Sequence, residues 1–199
     1  MTITVQLGHD CDVESPADYD GWAPYSFSTN HINFKHPEEL DPSEDEELKR
    51  KLDNGLAFFL SYYEHGRCLW SLQGEGPQCR WDSVGVAGLL VWEDDDDAIG
   101  AKTPEDRRKD AQRFLDTWNA YVNGDVYYYS VLDSCHECGS DGEVVESCGG
   151  FFAGQANMEY MFSEIRGHVG DETVVFKGEA KYLADTFWET RTSPTASTE

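Results

Sequence analysis

The chain has 199 residues, 39 of them acidic against 15 basic, for a net charge of -24; 39% are hydrophobic and 13% aromatic. A surface of that charge repels nucleic acid, anionic lipid and acidic substrates, and attracts cations and basic proteins. The length suits one domain with a sizeable core. The sequence carries neither an apolar run of bilayer length nor a basic, then apolar leader, so a cytosolic protein with reduced cysteines is expected.

Thr2 to Leu7 alternates, with Ile3, Val5 and Leu7 on one face, and reads as a half-buried strand. An acidic loop (residues 9–20) follows, then an aromatic stretch from Trp22 to Phe34 with one or two short strands. Asp41-Pro42-Ser43-Glu44 reads as a helix start, with a helix to about Asp53 and a stop near Gly55. Leu56 to Tyr63 and Arg67 to Gln73 form a hairpin across His65-Gly66. Val84 to Trp92 is the most apolar segment and reads as a central strand. Thr103, Pro104 and Asp106 open a helix to Val122, whose Ala111, Phe114, Leu115 and Trp118 make one apolar stripe. Two strands, Asp125 to Leu132 and Glu143 to Phe152, flank a cysteine-bearing tip. A helix at about Asn157 to Gly167, a strand at Thr173 to Phe176 and a short helix at Ala180 to Trp188 complete the pattern. The reading is a single α+β domain over residues 1–189, built on a mostly antiparallel sheet with two to four helices. The polar tail 190–199 is expected to be disordered.

The acid is uneven. Residues 1–48 hold twelve carboxylates and one base, Lys35, and Glu93, Asp94, Asp95, Asp96 and Asp97 run without a break. Three readings compete: solubility or salt adaptation, since seven of the 15 bases are lysine; a face for a basic protein; and mimicry of nucleic acid. At one charge per about 1.7 Å, the net charge matches roughly 40 Å of duplex. The partner-binding residues expected are Glu93 to Asp97 together with Asp10, Asp12 and Glu14, and the expected partner is a basic protein. The alternating carboxylates of Asp10, Asp12 and Glu14 resemble a calcium loop but lack its glycine and its closing glutamate.

Cys135-His136-Glu137-Cys138-Gly139, with Cys148 ten residues on, has the spacing of a zinc knuckle. Cys135, Cys138 and Cys148 are the candidate zinc ligands. The fourth is open between His168 and a distant cysteine, and unligated thiols at a hairpin tip are the competing reading. An enzymatic alternative rests on Asp171 and Glu179-Ala180-Lys181, an acid…Glu-x-Lys pattern that in nucleases holds magnesium and orients water. The sequence has no phosphate loop, dinucleotide fingerprint or serine elbow, and no catalytic residue is assigned.

Several segments resemble, together and in order, a group of uncharacterised proteins encoded by tailed bacteriophages, many infecting actinobacteria. They are residues 60–66 (Leu60 to Gly66), Arg80-Trp81-Asp82-Ser83-Val84, Gly124-Asp125-Val126-Tyr127, Glu146-Ser147-Cys148-Gly149-Gly150-Phe151 and Met161-Phe162-Ser163-Glu164-Ile165. The likeness covers most of residues 1–188. It implies a phage accessory protein acting in the cytoplasm of an infected bacterium, and carries over no catalytic residues. By analogy with small acidic phage proteins, the expected function is host takeover or counter-defence through a basic host protein. A virion-associated role is a further alternative.

Overall fold

The computed structural model describes residues 2–28, 30–31, 33–35, 45–134 and 141–188. In chain order the elements are β1 (Thr2–His9), β2 (Trp22–Ser26), α1 (Glu46–Asp53), β3 (Ala57–Glu64), β4 (Cys68–Leu72), β5 (Ser83–Trp92), α2 (Pro104–Val122), β6 (Val126–Ser134), β7 (Asp141–Phe152), α3 (Gln155–Val169), β8 (Thr173–Lys177) and α4 (Tyr182–Phe187). A 3-10 turn at Pro16–Asp18 lies between β1 and β2. The residues group into two compact units: Glu14–Asn123 forms one (unit 2), and the chain before and after it forms the other (unit 1).

Unit 1 holds a four-stranded sheet in the order β7-β6-β1-β8. β1 runs antiparallel to β6, with Val5 opposite Val131, and parallel to β8, with Val5 opposite Phe176. α3 carries the chain from β7 at one edge of the sheet across to β8 at the other. Val5 and Leu7 of β1 and Tyr129 and Val131 of β6 pack with Met158, Met161, Phe162 and Ile165 of α3 in one buried cluster. Gly178 ends β8 at a positive φ of 93°, and a side chain there would collide with the Leu7 carbonyl.

Unit 2 holds a second sheet in the order β2-β5-β3-β4. Its core gathers Trp22, Trp70 and Trp118, all almost fully buried, with Leu56, Leu60, Leu72, Leu90, Phe114 and Leu115. Each such side chain contributes roughly 1.5–3 kcal/mol of transfer free energy. α2 begins as its sequence foretells. Thr103 is the cap, its Oγ1 accepts the Asp106 N–H at 3.1 Å and donates to the Asp106 carboxylate at 2.7 Å. One buried face of α2 then carries the expected apolar stripe.

The α+β class and the mostly antiparallel strand order are as the sequence implies, with the strands distributed over two sheets. The first helix differs in its start: Asp45 caps it, accepting the Glu47 and Leu48 N–H groups at 2.9 and 3.0 Å. The proline-led start at residues 41–44, the cysteines at 135 and 138 and the tail at 190–199 lie outside the described residues. Among the described residues, no helix is long and apolar enough to cross a membrane.

Candidate functional site

The acidic run begins where β5 leaves the core. Val91 and Trp92 are buried, and the next residue, Glu93, is at the surface. The Trp92 indole N–H donates to the Asp95 carbonyl at 3.1 Å, and the Ala98 N–H donates to the same carbonyl at 2.8 Å. These bonds bend the run into a turn. Two of its five carboxylates are neutralised within unit 2. Glu93 accepts from Tyr25 and Lys35; burial opposes its charge, but those two bonds outweigh it and hold the carboxyl below its usual range. Asp96 pairs with Arg50 at 2.6 Å, and that guanidinium lowers its pKa. Asp94, Asp95 and Asp97 are exposed, and among the described residues their carboxylates make no hydrogen bond or ion pair.

The Asp10, Asp12 and Glu14 loop is a different object. Asp10 belongs to the fold of unit 1: its N–H donates to the Val126 carbonyl at 2.8 Å, and its carboxylate accepts the Asp12 N–H at 3.2 Å and the Gly150 N–H at 2.8 Å. A side chain at Gly149 would collide with that carboxylate, so the glycine pair in β7 makes room for it. Asp12 and Glu14 are exposed, with no hydrogen bond from either carboxylate among the described residues.

Of the zinc candidates, Cys148 lies on β7 and is exposed, while Cys135 and Cys138 are outside the described residues. Among the described residues no three of histidine, cysteine, aspartate and glutamate come together as metal ligands do. Of the Asp171, Glu179 and Lys181 set, Glu179 accepts the backbone N–H of His9 at 3.2 Å. The described histidines serve separate places: His9 Nδ1 meets the Gly124 carbonyl at 3.0 Å, His65 faces Asp82 at 3.5 Å, His31 sits among aromatic rings, and the His168 ring lies 6.2 Å from that of Tyr129. None has a serine or cysteine as hydrogen-bond partner among the described residues.

Two features were not read from the sequence. One is a cleft of about 520 Å³ in unit 1, lined by Tyr127, Met158, Leu183 and Phe187. The Tyr127 hydroxyl at its wall bonds the Tyr182 hydroxyl at 3.1 Å. The other is Trp81, 83% exposed, on the loop before β5, with the Arg80 guanidinium 5.1 Å from its ring centroid. The one signal available in the sequence is its setting: a tryptophan between Arg80 and Asp82 has charged neighbours on both sides.

Unit 1 carries 16 acidic residues against four basic ones, and unit 2 carries 23 against 11. Much of the base in unit 2 is engaged locally, as Lys35 with Glu93, Arg50 with Glu47 and Asp96, Arg108 with Glu75, Lys109 with Glu105 and Arg113 with Asp110. The carboxylate excess thus faces solvent. Comparison with family models, curated proteins and solved structures finds no match for this chain.

Proposed function

We propose that this chain is a phage-encoded acidic accessory protein that binds a basic protein of the infected bacterium and inhibits it, in the manner of a host-takeover or counter-defence factor. The observation that carries the reading is the exposed triad Asp94, Asp95 and Asp97, unpaired among the described residues, on its hydrogen-bonded turn. The three stand within a chain of net charge -24. Fixed like charges at a surface steer an oppositely charged partner and accelerate encounter more than they tighten the final complex. The partner's own ligand would be polyanionic, so the carboxylates would stand where phosphates stand. The bacterial setting rests on the resemblance to tailed-phage proteins alone.

The test is a column of the immobilised protein loaded with bacterial host lysate and washed with low, then high salt. The expected result is one basic, nucleic-acid-handling protein, released by salt and displaced by duplex DNA. With that protein in hand, Asp94→Asn/Asp95→Asn/Asp97→Asn should slow association about tenfold at low ionic strength and have no effect at high ionic strength. Retention of nothing specific, or association rates that the triple variant leaves unchanged, refutes the reading.

A further inference from the structure

Charge alone makes a poor anchor, because exposed ion pairs contribute about 0–1 kcal/mol each. A complex that lasts needs a desolvated apolar contact. Unit 2 presents one. Trp81 is 83% exposed, and Val84 and Val86, three and five residues on, are 50% and 46% exposed at the start of β5. One bond continues the pairing of β2 with β5 past Ser26: the Phe27 N–H donates to the Ala87 carbonyl at 3.0 Å. β2 pairs with β5 from Trp92 only as far as Gly88, so beyond the Phe27 bond the β2 side of β5 has no strand neighbour among the described residues. The register with β3 also breaks here: two steps in β3, Leu60 to Tyr62, match four in β5, Gly88 to Val84. Val84 stays paired with Tyr62, and the residues between it and Gly88, Val86 among them, bulge from the regular ladder.

The loop that carries Trp81 is built. The Ser83 hydroxyl donates to the Pro77 carbonyl at 3.0 Å and accepts the Cys79 N–H at 2.9 Å; the Ser83 N–H donates to the Cys79 carbonyl at 3.1 Å. The Cys79 thiol and His65 both face Asp82. A large side chain held out on an ordered loop loses little freedom on binding, and tryptophan and arginine are both enriched among interface anchors.

We infer that Trp81, with Val84 and Val86, is the anchor that enters an apolar pocket on the basic partner. The inference rests on the reading of the protein as a binder of basic proteins. The occupant follows from charge complementarity. On a chain of net charge -24 an apolar island is disfavoured as a contact with a second copy, which would carry the same charge, and admits a partner whose pocket is rimmed by lysine or arginine. The two features then divide the kinetics: the carboxylates set the on-rate, and Trp81 sets the off-rate.

A displayed random-peptide library panned on the intact protein tests this without knowledge of the partner, using Trp81→Ala and Asp94→Asn/Asp95→Asn/Asp97→Asn as counter-targets. Trp81 is outside the core, so its removal leaves the fold intact, which an unchanged circular dichroism melt confirms. The expected peptides combine lysine or arginine with bulky apolar residues. They dissociate ten- to hundredfold faster from Trp81→Ala and associate more slowly with the triple variant. Peptides that leave both proteins equally slowly but need the carboxylates overturn the Trp81 anchor and leave the acidic-surface reading standing. Peptides that need Trp81 but show neither basic residues nor salt dependence overturn the charge reading, and with it this choice of occupant. A wild-type dimer in sedimentation that Trp81→Ala dissolves overturns the inference in favour of a second copy.

Discussion

His31 lies edge-on to Tyr62 and Trp70, with ring centroids 4.8 and 5.0 Å away. Burial against these rings disfavours the imidazolium and lowers its pKa, while Glu64 pulls the other way. With the folded pKa below the ordinary histidine value, the unfolded chain binds more protons as pH falls from about 6.5. Stability should then fall with pH through that window and level off below the folded pKa. Urea denaturation at pH about 7.5 and about 5 checks this: wild type should lose stability between the two values, and His31→Phe should lose less. The slope was not legible in the sequence, which shows six scattered histidines and no hint of which one meets Tyr62 and Trp70. Asp10 teaches the same lesson. Its alternation with Asp12 and Glu14 suggested a shared cation, yet its carboxylate is occupied by an amide 140 positions away, at Gly150. Charge patterns along the chain reveal local pairs, not the tertiary partners that use a carboxylate up.

At the scale of elements, the edges of the sheets are managed in two different ways. β4 is an edge strand, and α2 closes it with two amides. Asn119 accepts the Trp70 N–H and donates to the Trp70 carbonyl, both at 2.8 Å. One helical turn later Asn123 does the same for Cys68, at 3.1 and 2.8 Å. The i, i+4 spacing on the helix matches the i, i+2 spacing along the strand, so two side chains imitate a neighbouring strand. β7, the edge of the other sheet, is instead broken by three register shifts and carries exposed carboxylates at Glu143 and Glu146, both of which blunt an edge against pairing. Asn119→Ala should cost about 1–3 kcal/mol, because it strands two polar groups beside a fully buried tryptophan. Asn123→Ala should cost less, since Cys68 is half-exposed. Denaturation midpoints give the order, and faster exchange of the Trp70 amide locates the damage. The elements themselves were legible: Thr103 with Asp106 marked the start of α2, and His65-Gly66 marked the hairpin turn. The amide pair was not, because Asn119 and Asn123 look like helix-surface residues until β4 is beside them. The cap at Asp45 was misplaced for a related reason, as Asp41 and Asp45 both precede glutamates in a run where nearly every residue suits a helix start.

At the scale of the molecule, the charge sets the response to salt. Each unit carries about the same net negative charge, and like charges crowded by folding oppose the compact state. The ion pairs that screening would weaken lie at the surface and contribute little. Raising sodium chloride from about 20 mM to about 500 mM should therefore raise the melting temperature, whereas a chain held together by its surface pairs would melt lower. The strand order adds a constraint of a different kind. β1 lies between β6 and β8, so residues 2–9 find their strand neighbours, among the described residues, only at 126–134 and 173–177. All of residues 14–123 come between. A ribosome delivers the first strand long before either flank, so that apolar strand waits in solution while unit 2 is made and closes. Chaperone demand during synthesis, and the penalty for any premature stop before residue 177, both follow from one early strand placed in the middle of a late sheet.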